Sequence, residues 1–213
     1  GLVVAAGEGQ LVVVGEVQHA VGVGRRAAER VEVAHVAAHD RGARVGQARR
    51  RRVGAGEADG LESIRGALFD GRALRLGHGV RLAEDVHTAR EDDENTYVTL
   101  GPVAQWVKDR EIALELSPSS NLQTGAIEQW GDELVDHPFD LLYQLGFRVT
   151  VNTDNRLMSA TSLSRELYLL AETFGYDLTD LAVFQLNAAA STFLPLEDRE
   201  ELADRIAAGF DEA

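Results

Sequence analysis

The segment Arg148-Val149-Thr150-Val151-Asn152-Thr153-Asp154-Asn155 constrains this chain more than any other. A short alternating apolar run reads as a buried strand, and this one ends abruptly in amide, hydroxyl and carboxylate groups. The layout recurs upstream, where Leu74-Arg75-Leu76 runs into Gly77-His78-Gly79 and Val53 leads through Gly54-Ala55-Gly56 to Glu57. Strands that each deliver polar groups at their C-terminal tips describe an α/β barrel, whose chemistry sits at that end. Helical patterns between the strands call for a parallel sheet with right-handed crossovers.

From Gly56 onward the pattern predicts four strands. They are the run ending at Glu57, Ala73 to Leu76, Ile112 to Leu116, and Val149 to Val151. Helices are expected over Leu61 to Phe69, Leu82 to Ala89, Pro102 to Arg110, a stretch ended by Gly146, Ser162 to Phe174, Thr179 to Ala190 and Leu196 to Ala208. Pro102 suits a first helical turn, Gly146 a helix stop, and Thr179 an N-cap. Glu91 to Asn95 reads as a charged surface loop, since adjacent carboxylates cannot converge on one ion. Four strands fall short of a (β/α)8 barrel, which takes about 250 residues.

In order, Gly56-Glu57, Gly77-His78-Gly79, Leu114 to Gly125 with its Ser117-Pro118-Ser119-Ser120-Asn121 turn, Asn152-Thr153-Asp154-Asn155 and Asn187 to Pro195 closely resemble the C-terminal half of adenosine deaminase. That family comprises metal-dependent purine nucleoside deaminases of the amidohydrolase superfamily. The resemblance implies the last four βα units of a TIM-type (β/α)8 barrel. It implies zinc-assisted hydrolytic deamination of adenosine or deoxyadenosine, in which bound metal makes hydroxide available near neutral pH. On this resemblance Glu57 is the carboxyl that protonates the purine ring, His78 orients the hydroxide, and Asp154 is the carboxylate zinc ligand. Asn155 stands where better-known members carry an Asp facing the purine N7, and its NH2 group can still donate to that acceptor. The Ser117–Asn121 turn shapes the mouth and takes no catalytic role.

The zinc ligands depart from the family pattern. The resemblance calls for a His-x-His pair, a third His and the Asp. The chain has no His-x-His, and Gly54 occupies the third position, so three of the four usual ligands are absent. A catalytic zinc site normally takes three protein ligands. Zinc occupancy and turnover by these residues alone are therefore not expected. His35 and His39 have i, i+4 spacing but lie in an atypical segment; His19, His87 and His137 read as ordinary. Two readings compete: a related aminopurine or nucleoside deaminase, and a non-catalytic half barrel.

That atypical segment is residues 1–55, built from only Gly, Leu, Val, Ala, Glu, Gln, His, Arg and Asp, with Ser63 the first residue outside the set. All nine types use codons beginning with G or C, a restriction foreign to packed domains. It is expected of a GC-rich gene read in a shifted frame or antisense, and places a join between Gly54 and Ala55. Leu2 to Ala5 and Leu11 to Val14 are its only strand-like runs. Beginning at Gly1 rather than Met, the chain reads as a fragment.

Charge and composition narrow the partners. The net charge is −14 and the acidity lies in residues 56–213, which repels phosphate and argues against nucleic acid. The run Arg49 to Arg52 has no accompanying aromatic or Lys. Without cysteine, disulfides and thiolate metal sites are excluded. No apolar run is long enough for a membrane span and none resembles a signal peptide, so a cytoplasmic location is expected. The expected partners are a purine nucleoside and, through exposed sheet edges, a second copy of the chain.

Overall fold

The computed structural model describes residues 12–15, 52–91 and 95–212, with side chains given for neither 12–15 nor Asn95. Four parallel strands form the central sheet: β2 (Arg52–Ala55), β3 (Arg75–His78), β6 (Ala113–Leu116) and β7 (Val149–Val151), in that order. In register, Val53, Leu76, Leu114 and Val149 form one row across the sheet. Leu76, Leu114, Leu116 and Val149 are wholly buried and share a core with Ile64, Val103, Val107 and Leu142 from the helices. Each such side chain contributes about 1.5–3 kcal/mol by leaving water. Arg75 and Glu115 fall on the opposite face by the two-residue period of a strand. There Arg52 and Arg75 both pair with Glu115, the second at 2.9 Å.

The strands expected over Ile112 to Leu116 and Val149 to Val151 stand where the alternation placed them, and β2 ends at Ala55, two residues short of Glu57. The second run, expected over Ala73 to Leu76, sits two residues later, at 75–78, because its last pairing partner is His78 opposite Ala55. Among the described residues, β2 and β7 are the edges of this sheet.

The helices are α1 (Gly60–Arg65), α2 (Pro102–Asp109), α3 (Pro118–Gln123), α4 (Phe139–Gln144), α5 (Leu163–Phe174), α6 (Leu178–Ala190) and α7 (Leu196–Asp211). Leu61 to Phe69 is helical, but its second half, 66–70, widens to π-helical turns. The cap of α6 is Asp177 rather than Thr179. The Asp177 side chain accepts from the Thr179 and Asp180 N–H groups at 2.7 and 3.1 Å, and Asp180 reciprocates at 3.0 Å, a capping box.

Leu82 to Ala89 is not a helix. A 3-10 turn over Val80–Asp85 gives way to β4 (Val86–Glu91), which pairs antiparallel with β5 (Asn95–Leu100). Thr88, Tyr97, Val98 and Thr99 are β-formers, and the exposed outer side of β4 hid the period of two. Of the acidic run, Glu91 ends β4 and Asn95 begins β5, and 92–94 lie outside the described residues. A further strand, β1 (Val12–Gly15), pairs with β5 and not with an edge of the parallel sheet. Leu2 to Ala5, and His19, His35 and His39, lie outside the described residues.

Asp85 fastens this hairpin to α2. It is buried, and its Oδ2 accepts from the Val103 and Ala104 N–H groups at 2.8 Å each. Gly101 is required at the same spot, since a Cβ there would lie 2.0 Å from the Asp85 Oδ1.

His137, which the sequence left as ordinary, is nearly inaccessible at 3% exposure. Its Nδ1 accepts from the Phe139 N–H at 3.0 Å, which leaves Nε2 to donate to Asn121 Oδ1 at 3.2 Å. Burial pushes its pKa down from 6.5 to about 3. The unfolded chain therefore binds the extra proton between those values, and stability falls as pH drops below about 6.5, by up to about 1.4 kcal/mol per pH unit. Urea unfolding at pH 7 and pH 5 is expected to show a loss of about 2 kcal/mol that shrinks in His137→Gln.

Candidate functional site

The C-terminal tips of β2, β3 and β7 deliver the site. Beyond β2 the chain passes through Gly56, whose φ of 71° is left-handed, to Glu57. At the end of β3, His78 itself adopts φ 74°, and beyond β7, Asp154 adopts φ 51°. Non-glycine residues in that region cost about 1–3 kcal/mol each and persist where surrounding structure holds them. Two of the three site side chains are thus presented by strained backbone.

One ligand-type atom from each of Glu57, His78 and Asp154 lies within 4.8 Å of the others. His78 Nε2 is 3.3 Å from Glu57 Oε2, and Thr124 Oγ1 donates to Glu57 Oε1 at 3.1 Å. The second carboxylate is held in the same way, Ser120 Oγ donating to Asp154 Oδ2 at 2.8 Å. His78 Nδ1 is buried with no hydrogen-bond partner. A proton can therefore reside between Glu57 and His78, with the outer carboxylate oxygen held by the threonine.

Asn155 joins the cluster by chain position but makes a different contact. Its Oδ1 accepts from the N–H groups of Leu157 and Met158, each at 3.2 Å. The carbonyl side of the amide being taken, the NH2 group is the part left to a ligand. Leu157 and Met158 stand out from this loop, 93% and 77% exposed. A cleft of about 270 Å³ with Leu122, Thr124, Ile127 and Glu128 on its walls touches the cluster through Thr124, and none of Glu57, His78, Asp154 or Asn155 lines it.

The Ser117–Asn121 turn has more part in the site than the sequence assigned to it. It continues into α3, and Ser120 and Thr124, four residues apart, address the two carboxylates from one face of that turn. Sequence reading missed both, although i, i+4 hydroxyls following a Pro-initiated helix at a strand tip were the available signal. His87 stands outside the cluster, its Nε2 3.8 Å from Asp85 Oδ1. Arg52, the last of the arginine run, is engaged with Glu115; Arg49 to Arg51 lie outside the described residues.

Glu57, His78 and Asp154 offer one ring nitrogen and two carboxylates between which a cation could sit. At the third histidine position, Gly54 has open space around the point where a Cβ would stand, and the chain has no His-x-His. A histidine-based cage does not fit these residues.

Comparison with known proteins places the chain. A family model described as adenosine deaminase matches residues 17–209. An adenosine deaminase of Mycobacterium avium (strain 104) is 47% identical over 154 residues, 72% of this chain and 41% of that protein. One from Mycobacterium ulcerans (strain Agy99) is 49% identical over 154 residues, 72% and 40%. Among solved structures, an adenine deaminase from Arthrobacter aurescens superposes with a TM-score of 0.64 at 24% identity, covering 77% of this chain and 44% of its own. A Burkholderia ambifaria amidohydrolase with bound Zn gives 0.61 at 20% identity, covering 76% and 41%. The likeness to these structures shows a shared fold, that of a TIM-type barrel matched over part of its length. The chain spans about two fifths of the length of the curated relatives it matches.

Proposed function

The chain belongs to the adenosine deaminase family, and on that footing we propose that it carries the proton-handling part of a zinc-assisted purine nucleoside deaminase. The convergence of Glu57, His78 and Asp154 at three strand tips carries this reading. The reaction is hydrolytic removal of the amino group of adenosine or deoxyadenosine, giving inosine or deoxyinosine. A zinc ion, held by Asp154 together with ligands these residues lack, would make the attacking water nucleophilic near neutral pH. This chain retains one of the four usual ligands, Asp154, so its own occupancy by zinc is expected to be low.

What these residues do follows from their contacts. Glu57 holds a proton on the oxygen that faces His78 and passes it to the purine ring nitrogen. Thr124 keeps the other oxygen occupied, which fixes the direction of transfer. His78 steadies negative charge developing on the attacking oxygen, in the manner of a preorganised donor. Asn155 presents its NH2 group to N7, an unprotonated acceptor that suits a neutral donor. These 213 residues by themselves are proposed to be inactive.

A second reading stays open through Asn155, namely a related aminopurine or nucleoside deaminase. The family-fold neighbours include an adenine deaminase and an N6-methyl-AMP deaminase of Arabidopsis thaliana. Among the described residues β2 and β7 are edges without a further partner strand, which supports a third reading, a non-catalytic half barrel that pairs with a second copy without bound zinc. Among the described residues no helix is long and apolar enough to cross a membrane. The low-diversity composition of residues 1–55 supports a separate coding origin from 56–213, which reading the upstream DNA in its other frames checks.

The test is adenosine turnover by the purified chain with added zinc, Glu57→Gln serving as control. No turnover is expected from folded protein. Turnover that disappears in the control would show that residues of this chain complete the metal site after all.

A further inference from the structure

Glu166 is the one carboxylate that is wholly buried among the described residues, at 0% exposure, and the chemistry above does not use it. A carboxylate taken out of water is costly unless hydrogen-bond donors meet its oxygens. Both are met here. Oε2 accepts from the Ser119 N–H at 3.0 Å, and Oε1 accepts from Thr161 Oγ1 at 2.5 Å. Ser119 immediately precedes Ser120 in α3. Thr161 closes the loop that begins with Asn152 and carries Asp154. The loop starts from Asn152, whose N–H donates to the Leu116 carbonyl at 2.8 Å, and its later part is held by its own turns, Ser159 N–H to Asn155 O at 3.0 Å and Thr161 N–H to Arg156 O at 3.3 Å.

We propose that Glu166 is a positioning residue that clamps the two halves of the Ser120–Asp154 pair together from beneath. One oxygen fixes the start of α3, which aims the Ser120 hydroxyl; the other fixes the far end of the loop, which aims the Asp154 carboxylate. Asp154 is exposed and strained at φ 51°, so its direction depends on anchors at both ends of its loop. The functional weight of the pair rests on the reading of Asp154 as the metal-facing carboxylate. The clamp itself is a matter of structure and is tested without substrate or metal, so its failure is separate from failure of that reading.

Peptide-resolved hydrogen exchange on the whole chain tests it. Glu166→Met keeps the volume and removes both acceptors, and exchange should speed up on the order of tenfold in 117–125 and 153–162, leaving 75–78 and 113–116 unchanged. Glu166→Gln should behave as wild type, because its amide oxygen accepts from Ser119 while its NH2 donates to the Thr161 oxygen. Thr161→Val should loosen 153–162 alone. If Glu166→Met does not fold, the other two variants carry the test. Unchanged exchange in Glu166→Met or Thr161→Val, loosening spread evenly over the sheet, or Glu166→Gln behaving like Glu166→Met would each overturn the proposal.

Discussion

Supplying the rest of a barrel in trans is expected to turn an inactive chain into one that deaminates adenosine, with a gain of about a thousandfold or more over the chain alone. The mixing partner is the portion of the Mycobacterium avium relative that lies outside the matched residues. Two structural facts set the expectation. The parallel sheet ends at β2 and β7 among the described residues, and parallel sheets are stable when closed or covered on all sides. The face carrying Arg52, Arg75 and Glu115 is polar and bears an ion-paired group suited to a shared interior. By family resemblance the added portion brings the missing His-x-His pair, which with Asp154 makes three protein ligands, the minimum for a catalytic zinc. Gly54→His would add the fourth, and the room around Gly54 accommodates it; turnover by the mixture should rise further. Adenosine, deoxyadenosine and adenine compared in the same assay rank the substrates. A mixture that stays inactive although the two pieces co-purify would count against the proposed division of the site.

Phe139→Ala should cost about 3–5 kcal/mol of folding stability, a large part of what a domain of this size possesses. Phe139 is wholly buried, meets Phe184 edge-on at 5.1 Å, and lies against Tyr176 at 6.2 Å. The cluster is closed by polar tips: Tyr143 donates to Asp180 at 2.8 Å and Tyr176 to Asp140 at 2.7 Å. Burial and those neighbouring carboxylates raise both phenol pKa values, Tyr176 the more, so both rings stay neutral donors. Removing Phe139 leaves a void among rigid rings that cannot collapse into it. A fall in the urea midpoint at unchanged slope is the expected result; a loss under about 1 kcal/mol would mean the cluster repacks.

The central sheet was readable because its signals are local. Val149 to Val151 alternates, is bounded by turn residues, and forms the strand expected of it. Glu57, His78 and Asp154 could be named because each lies at or just beyond a strand's C-terminal tip within a motif resembling the family's, and the structure brings those three together. Their supporting contacts were not readable, since Thr124 reaches Glu57 across 67 residues and Ser119 reaches Glu166 across 47. No periodicity encodes such a pairing. The β4–β5 hairpin was missed for another reason. His87, Ala89 and Arg90 serve a helix as readily as an exposed strand, and pairing with β5 decided the matter. His137 looked unremarkable because burial, which lowers its pKa and fixes its tautomer, is a property of the fold rather than of its neighbours in sequence.

The central claim is that this chain holds the acid, the orienting histidine and one metal carboxylate of a deaminase without the histidine cage. Adenosine turnover by the folded 213-residue chain in the presence of zinc measures that most directly. The account predicts none, with Glu57→Gln indistinguishable from the parent. Turnover by the chain alone that vanishes in Glu57→Gln would contradict it, and would locate the missing ligands within these residues.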